Sequence, residues 1–554
     1  MTTRRTFIAS AGAFVSLRAQ CAEMPLWKAG IVTDTHVGRT RASCELVKKA
    51  CDLFAENDID LFVNCGDIAD HYYPEAYPIL NEITNAAFPS KTPRKIWVYA
   101  NHDHIDRKDE PWEKVMADVK RLLSATNDFY DLIDMQGYPL LVFPQWLDFA
   151  RAEKMIADVC ADAKYAGKPV FVFDHVPPED TTDNSVTWGN RGRRDLFSKY
   201  PRVVNITGHA HSSLRSELNI WQGAFTSVNM GCLQVWGGHA VGGAPKSKKN
   251  YGAVVMEVYC DRIVFRRFDV RTKEEYGADE RWTVPLPFDP KTAPYRRDRT
   301  VADEPVPQFP EGAALSLKAL SPFAAVEMSF PRAKGRHGTY IYKVQVTTPD
   351  GEALARNDMF GQFYLPEGER AAVLVRNLSA GYFDPGRKYR VRITPCNCFG
   401  VGGRPIEADF TAPEATGFDT LFESSDPMKD CPFMTQLEGG KRVKAADGWY
   451  SIGPGNFRLE LPNGIWKERG RYRFTVDMET IQPDPRTWTL VLRYPGPPLK
   501  NANARIATPR GESGKTRYVI EFTEEHLGRN YYLLVREGGK GKVRFGKVKL
   551  EFSR

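Results

Sequence analysis

Five short apolar runs in the first 211 residues of this 554-residue chain each end in a residue type that binds metals. The runs are rich in Ile, Val and Phe, as expected of strands that are buried on both faces. The segments between them, such as 41–56, place apolar side chains on one helical face. Strand and helix therefore alternate, which predicts an α/β fold with functional groups at the carboxyl ends of the strands. The five runs are residues 29–33, 61–65, 96–100, 169–173 and 203–207.

The residues that follow these runs are Asp, Asn and His, and no Cys is among them. Carboxylate, amide oxygen and neutral imidazole together suit borderline metals such as Zn, Mn or Fe. Only 10 His occur in the chain, and five of them fall on these positions, which chance clustering explains poorly. The candidate metal ligands are Asp34, His36, Asp67, Asn101, His175, His209 and His211.

This ligand set predicts a site for two metal ions. Asp67 has two carboxylate oxygens and can bridge both ions. Two ions roughly 3.5–4 Å apart polarise phosphoryl oxygens, activate a bridging hydroxide and stabilise an in-line displacement. His102 is left without a ligand role, and we expect it to act as general acid to the leaving oxygen. Asp70, one helical turn past Asp67, is a candidate to orient the His102 ring.

The ordered motifs resemble those of the calcineurin-like metallophosphoesterase superfamily. The pattern D-x-H, G-D-x-x-D, G-N-H-D/E, a lone His and G-H-x-H is matched in order from Asp34 to His211. The resemblance implies an α/β domain of the αββα sandwich type. It also implies two ligand groups, namely Asp34, His36 and His211 on one metal and Asn101, His175 and His209 on the other, with Asp67 bridging.

The chain departs from the family pattern at two positions. Ala100 stands where the pattern has Gly before Asn101, and we expect this extra methyl group only to tighten the turn. Asp70 stands where purple acid phosphatases, a related branch, carry a Tyr iron ligand. A purple ferric site is therefore not expected.

A polar loop begins directly after His175 and runs over residues 177–194. Its position suits a substrate wall, with Trp188 to stack on the substrate and Arg191 or Arg193 to clamp a phosphate. An equally weighted alternative is a surface loop that leads into a helix at 193–198. Trp146, with Tyr72 and Tyr73, is a further candidate for the same wall.

The amino terminus, residues 1–22, resembles a twin-arginine export signal. Arg4 and Arg5 precede a mildly apolar stretch at 7–17, which is shorter than the roughly 20 residues that span a bilayer. We expect export to the bacterial periplasm or cell surface and no transmembrane segment in the mature chain; the alternative is a cytosolic tail with two chance arginines. The 10 Cys are scattered and support neither location.

The composition changes after the catalytic region, which we place at 23–287. A Pro- and charge-rich linker is predicted at 288–310. Residues 311–413 resemble a fibronectin type III domain, because the sequence from Phe383 to Tyr389 matches that family's turn before a tyrosine corner. Residues 414–554 alternate as in a jelly-roll or carbohydrate-binding β-sandwich. Its aromatic residues can stack on sugar rings or fill a core; they are Trp449, Tyr450, Trp466 and Trp488.

The sequence thus predicts an exported, dinuclear-metal phosphoesterase that acts on a small or glycan-linked phosphate ester, either a monoester or a diester. A non-catalytic glycan-binding protein built on the same scaffold is the alternative, although retention of every ligand type argues against it. A nuclease is less favoured, because the net charge of +7 is modest for 554 residues and no basic stripe interleaved with aromatics is present in the catalytic region.

Overall fold

The computed structural model describes residues 24–234, 251–321 and most of 325–412; within 413–553 it describes 418–430 and the strands given below. The described residues form two compact units, unit 1 with residues up to 304 and unit 2 with residues from 305 onward. The predicted export signal at 1–22 lies outside the described residues. Among the helices that the structure does describe, none is long and apolar enough to cross a membrane.

Unit 1 alternates strands and helices along much of its length. Its strands are β1 (Trp27–Val32), β2 (Leu61–Asn64), β3 (Arg94–Trp97), β4 (Asp131–Met135), β5 (Tyr138–Val142), β6 (Val170–Phe173), β7 (Val203–Thr207), β8 (Ile220–Gln222), β9 (Thr226–Asn229), β10 (Gly252–Val258), β11 (Arg262–Asp269), β12 (Glu274–Tyr276) and β13 (Trp282–Pro285). Its helices are α1 (Glu45–Glu56), α2 (Ala76–Ala86), α3 (Trp112–Leu122), α4 (Phe149–Ala161), α5 (Ser185–Trp188), α6 (Arg191–Phe197) and α7 (Arg297–Asp303). Short 3₁₀ helices cover Arg41–Cys44, His102–Arg107, Ala163–Tyr165 and Glu217–Asn219.

The strands of unit 1 form two mixed sheets. A 7-stranded sheet has the order β12-β11-β10-β1-β2-β3, with β13 paired to β11, and a 6-stranded sheet has the order β4-β5-β6-β7-β9-β8. The strands β1, β2 and β3 are parallel to one another, as are β5, β6, β7 and β9. Each sheet therefore has a parallel part, at one side of the first sheet and in the centre of the second, and the strands of each part end at one edge.

Alternate residues of these strands enter different hydrophobic clusters. Ala29 and Ile31 of β1 share one buried cluster with Phe171 and Phe173 of β6, so the two sheets pack face to face. Val32 lies instead in a second cluster, with residues of α1, α2 and α3, and a third cluster joins the other sheet to α4 and α6. Two sheets enclosed by helices result, and the predicted α/β fold is confirmed.

The predicted linker at 288–310 differs from the structure in its first half. Residues 288–304 lie within unit 1 and include α7. Tyr295 anchors this stretch, because its hydroxyl accepts a hydrogen bond from Thr283 N at 2.8 Å and its backbone N–H donates to Gln222 Oε1 at 3.1 Å. The Pro- and charge-rich composition gave no sign of this partly buried tyrosine, which packs against the core.

Unit 2 consists mostly of strands, and every strand pair given for it is antiparallel. Its first strands are β14 (Ser316–Ser321), β15 (Ala325–Pro331), β16 (Ile341–Thr347), β17 (Ala353–Arg356), β18 (Met359–Phe360), β19 (Val373–Ser379), β20 (Lys388–Cys396) and β21 (Ile406–Thr411), with a 3₁₀ turn at Glu367–Glu369. The remainder are β22 (Asp419–Ser424), α8 (Pro427–Asp430), β23 (Thr435–Glu438), β24 (Lys441–Val443), β25 (Tyr450–Ile452), β26 (Phe457–Glu460), β27 (Gly470–Gln482), β28 (Thr489–Arg493), β29 (Arg505–Ala507), β30 (Gly514–Glu524), β31 (Tyr532–Arg536) and β32 (Gly541–Ser553).

The described strands of unit 2 form four sheets, with 3, 5, 5 and 6 strands. The first two share a buried cluster that includes Phe383 and Tyr389, whose rings meet edge to face at 5.3 Å. The β character predicted for this half of the chain is confirmed, whereas the fibronectin type III and jelly-roll assignments stay predictions. Trp449, Trp466, Trp488 and the side chain of Tyr450 lie outside the described residues.

Candidate metal centre

The predicted ligands lie in the turns that follow the parallel strands of both sheets. Asp34 and His36 follow β1, and Asp67 follows β2. Asn101 and His102 follow β3, His175 follows β6, and His209 with His211 follows β7. Because the two sheets pack face to face with these turns at a common edge, residues up to 177 positions apart in the chain meet in one cluster.

Three groups of metal-ligand side chains form at this edge among the described residues, and Asp67 belongs to two of them. The first contains Asp34, His36, Asp67 and His211, and the second contains Asp67, His175 and His209. The third contains His36, Asp70 and His102. Within each group the nearest ligand atoms all lie within 4.8 Å of one another. A carboxylate shared by two such groups is the arrangement that a bridging ligand requires.

The first group centres on Asp34 and His36. His211 Nε2 lies 2.9 Å from Asp34 Oδ1 and 3.2 Å from His36 Nε2. His36 Nε2 is also 3.8 Å from both Asp34 Oδ1 and Asp67 Oδ2. All of these side chains are buried or nearly so. Their nitrogen and oxygen atoms thus converge on one small volume.

The second group centres on His175. Its Nε2 lies 3.2 Å from Asp67 Oδ2 and 3.2 Å from His209 Nδ1. Asn101 belongs to none of these groups of His and carboxylate ligands, but its Oδ1 is buried and has no hydrogen-bond partner among the described residues. A buried amide oxygen without a partner is costly unless it binds a cation or water. The residues present therefore fit a pair of borderline metal ions.

The backbone at this edge adopts an unusual conformation. Among described non-glycine residues only eleven have a positive φ, and five of them are predicted ligands. The five are Asp34 (50°), His36 (39°), Asp67 (49°), His209 (66°) and His211 (49°). Such residues cluster at functional sites, where the surrounding structure holds them in place. Ala100 is not among the positive-φ residues, which explains why Ala can stand at that position.

Two glycines allow the ligand turns to approach one another. A Cβ atom on Gly208 would lie 1.9 Å from Thr33 Oγ1 and 2.4 Å from Asp34 Oδ2. Gly66 has φ of +100°, and a Cβ there would lie 2.5 Å from His175 Nδ1. Only glycine fits these two positions without displacing a predicted ligand.

Several predicted ligands are oriented by a second layer of groups. His175 Nδ1 donates to Cys65 O at 2.7 Å, so its Nε2 is left to face Asp67. His211 Nδ1 lies 3.6 Å from Cys232 Sγ, whose thiol donates in turn to a backbone carbonyl. Partners of this kind fix the tautomer and the ring orientation of a metal-binding histidine.

The electrostatics of the cluster favour ionised carboxylates. Burial alone would raise the pKa of Asp34, but the imidazoles of His211 and His175 hold it well below its usual range. Burial alone would raise the pKa of Asp67 as well, but His175 holds it below its usual range. Conversely, burial would lower the pKa of His175, yet the two carboxylates raise it to about 9. Burial and the neighbouring His175 lower the pKa of His209 to about 3.

His102 lies at the rim of the cluster beside His36, with the two rings edge to face at 4.6 Å. Its Nδ1 donates to Asp70 O at 2.8 Å and lies 3.4 Å from Asp70 Oδ1, while its backbone N–H donates to Asp67 Oδ1 at 3.0 Å. Burial would lower the pKa of His102, but Asp70 and Asp67 raise it to about 9. An imidazolium is thereby favoured at neutral pH.

Residues 28–213 match the calcineurin-like phosphoesterase family. This segment is a calcineurin-like phosphoesterase domain. The domain contains every predicted metal ligand. A comparison with curated proteins found no match to the chain.

Solved structures resemble parts of the chain only weakly. A dimetal phosphatase from Danio rerio is 10% identical, with a TM-score of 0.30, over 47% of this chain and 99% of that one. A purple acid phosphatase, PPD1, from yellow lupin is 12% identical, with a TM-score of 0.35, over 48% and 54%. The CBM22-1 xylan-binding domain of Paenibacillus barcinonensis Xyn10C is 9% identical, with a TM-score of 0.19, over 25% and 98%. The assignment of the phosphoesterase domain rests on the family match.

The three predicted substrate residues in the loop after His175 differ in their exposure and in their contacts. Trp188 ends α5, and its ring meets that of His209 edge to face at 5.8 Å. Arg191 is 69% exposed and pairs with Asp195 on α6. The prediction for Arg193 is wrong: its side chain is 3% exposed and bonded to a buried carboxylate, so it cannot clamp a phosphate.

Asp103 is a residue of the phosphoesterase domain for which the sequence predicted no role. Asp103 is fully buried and accepts hydrogen bonds from Ala69 N at 3.0 Å and Tyr77 OH at 3.0 Å. Burial, and then the charge of Asp67, raise the pKa of Asp103 to about 7. Its place directly after His102 in the motif was the available signal. This residue ties the turn after β3 to the turn after β2.

Proposed function

We propose that this chain is a metal-dependent phosphoesterase whose centre holds two ions. The observation that carries the proposal is the position of Asp67 in two separate ligand groups. The match of residues 28–213 to the phosphoesterase family supports it. A non-catalytic scaffold would have no need to keep six metal-ligand side chains, four of them buried, converging on one edge.

The ligand groups suggest how the two ions are shared. Asp34, His36 and His211 would hold one ion, and Asn101, His175 and His209 would hold the other, with Asp67 common to both. The donor set contains imidazole, carboxylate and amide oxygen and lacks thiolate, which suits Zn, Mn or Fe. When bound, such a pair supplies charge stabilisation for phosphoryl oxygens and an activated water nucleophile.

His102 is proposed as the general acid that protonates the leaving oxygen. Its Nδ1–H is committed to Asp70 O, so its Nε2 is the ring nitrogen that can transfer a proton. Asp70 is a positioning residue, because both its carbonyl and its carboxylate face the His102 ring. Hydrolysis of a monoester or a diester is compatible with this arrangement, and the substrate's second arm would decide between them.

The proposal includes export of the chain through the signal at residues 1–22. Replacement of Arg4 and Arg5 by Lys tests this part separately, because the twin-arginine route depends on those two side chains. We expect the wild-type chain in the periplasmic fraction and the double variant retained in the cytoplasm. Equal distribution of both would contradict export by this route.

The catalytic proposal is tested with the purified full-length chain. We would measure bound metals per chain and hydrolysis of paired chromogenic phosphate monoesters and diesters, with added Mn or Zn, for wild type, Asp67→Asn and Asp158→Asn. Asp158 is 63% exposed and pairs with Lys154 on α4, so its substitution is a matched control. About two metals per chain and activity lost only in Asp67→Asn would support the proposal. A metal-free, inactive wild type would overturn it.

A further inference from the structure

A cavity of about 580 Å³ in the phosphoesterase domain is lined by five aromatic side chains. They belong to Trp112, Phe129, Tyr130, Trp146 and Phe149; the first four are partly exposed and Phe149 is exposed. We call this cavity the aromatic pocket. Its volume falls in the range of sites that hold a small organic molecule, and it is larger than a phosphate group requires.

One residue that lines the aromatic pocket is hydrogen-bonded to a predicted metal ligand. Gln145 lines the pocket, and its Oε1 accepts a hydrogen bond from Asn101 N at 2.8 Å. Gln145 O accepts in turn from Arg193 Nη2 at 2.8 Å, and Arg193 also lines the pocket. One residue thus separates the pocket from Asn101. A phosphate ester at the metal centre could extend its organic group in this direction.

The aromatic side chains of the pocket pack against one another. The rings of Trp112 and Trp146 are stacked at 5.2 Å with an angle of 16° between their planes. His104 meets Trp146 edge to face at 5.3 Å, and Phe129 contacts Trp112 at 5.5 Å. Preorganised flat surfaces of this kind bind flat-faced ligands at a low cost in conformational entropy.

Charged groups also line the pocket, beside the apolar side chains of Leu147 and Phe149. Glu113 and Asp148 are exposed carboxylates that accept hydrogen bonds, and one oxygen of Asp148 also caps α4 by accepting from Arg151 N at 3.1 Å. The Arg151 guanidinium lies 4.2 Å from the centre of the Tyr130 ring. A ring that carries hydroxyl or amino groups can donate hydrogen bonds to these carboxylates, which an acyl chain cannot do.

We propose that the aromatic pocket binds the organic group of the phosphate ester and selects a flat-faced ring bearing hydrogen-bond donors. This inference rests on the proposed phosphoesterase function. A hexopyranose and a nucleoside share the required chemistry, namely a face that stacks on an aromatic ring and peripheral O–H or N–H groups. The pocket is thus the specificity site for the ester's organic part.

The test compares three esters of primary alcohols whose leaving groups are similar: glucose 6-phosphate, adenosine 5′-monophosphate and propyl phosphate. Stacking on one aromatic ring contributes enough to favour a ring ester over propyl phosphate by about tenfold in kcat/KM. We expect Trp146→Leu to reduce that preference by about the same factor. Trp221→Leu is the matched control, because Trp221 is a partly exposed tryptophan of the same unit that does not line the pocket.

A second measurement separates failure of the pocket from failure of the proposed function. Methyl glucoside and adenosine lack phosphate, and their binding to the full-length chain is followed by saturation-transfer NMR with wild type, Trp146→Leu and Trp221→Leu. Binding that is lost only in Trp146→Leu supports the pocket even if no ester is hydrolysed. Which of the two ligands binds, and which ring ester is preferred, distinguishes a pyranose from a nucleoside.

The opposite results would overturn the inference. Hydrolysis of all three esters at equal kcat/KM, with no binding of either phosphate-free ligand, would leave the phosphoesterase proposal standing and remove the pocket's role. Equal effects of Trp146→Leu and Trp221→Leu on the preference would show that a general loss of packing is responsible. Metal content and thermal unfolding of each variant are measured alongside, so that a misfolded variant is recognised.

Discussion

Arg193 Nε lies 2.6 Å from Asp174 Oδ2 in an ion pair that is almost completely excluded from solvent. The other oxygen of Asp174 accepts from His175 N at 2.6 Å, so the pair supports the turn that carries a predicted ligand. Arg191, two residues earlier on the same helix, is 69% exposed. Two arginines in one turn of α6 therefore have opposite structural roles.

Replacement of these two arginines by Met should have very different effects on stability. Arg193→Met leaves a buried carboxylate without its partner, and we expect the free energy of unfolding of unit 1 to fall by about 3–5 kcal/mol. Arg191→Met should change it little, because an exposed ion pair contributes almost nothing. Urea denaturation of both variants checks this. Similar losses in the two would contradict the buried pairing.

Gly208→Ala should disrupt the metal centre. The new Cβ would overlap Thr33 Oγ1 and Asp34 Oδ2, so the turn after β7 must move away from the turn after β1. We expect loss of metal binding together with a lowered melting temperature. Gly38→Ala is the control, since the nearest atom to a Cβ there is Ser43 Oγ at 3.5 Å, an ordinary contact. Full metal content in Gly208→Ala would show that the turn can relax.

Two cysteines behind predicted ligands offer a second matched pair. Cys232 faces His211 through its sulfur, whereas Cys65 accepts from His175 through its backbone carbonyl. Cys232→Ala should weaken metal affinity by about 10–100-fold, as loss of such a partner does elsewhere. Cys65→Ala keeps its carbonyl and should leave affinity close to wild type. Competition with a chelator of known affinity measures both, and equal affinities would exclude an orienting role for the thiol.

The general-acid role of His102 predicts a dependence on the leaving group. His102→Asn should slow hydrolysis of alkyl phosphates by about 10²–10⁴-fold, because their leaving oxygen needs a proton. The loss should be much smaller for p-nitrophenyl phosphate, whose leaving group is stable as an anion. His71→Asn is the control, because His71 is 39% exposed and pairs with Asp106 outside the ligand groups. A loss that is equal for both esters would argue against proton transfer by His102.

The strands and the ligand turns of unit 1 could be predicted because their signals are local. Asp34-Thr-His36 and Gly66-Asp67 each come directly after an apolar run. Such a sequence indicates where the strand ends and which ligand atoms the following turn carries. The structure places those residues within one or two positions of the predicted strand ends. The roles of the individual ligands stay predictions until metals are measured.

The remaining features depend on contacts between distant parts of the chain. The hydrogen bond from Tyr77 to Asp103 joins residues 26 positions apart. The sequence around Tyr77 contains no motif that predicts this bond. Gln145 follows β5, a strand that no ligand motif follows. The sequence therefore predicted no role for β5 or for Gln145. Arg193 looked like a phosphate clamp because sequence shows the charge of a helical residue but not which face of the helix is buried.

The left-handed backbone at five of the predicted ligands restricts which side chains those positions can accept. Outside glycine, Asn, Asp and His are the residues that most readily adopt positive φ. They are also among the residues that bind borderline metals through nitrogen or oxygen. Substitution of Asp34 or Asp67 by a β-branched residue would therefore meet a conformational penalty in addition to the loss of a ligand atom. Two independent requirements, metal coordination and a left-handed backbone, therefore restrict the residue types at these positions.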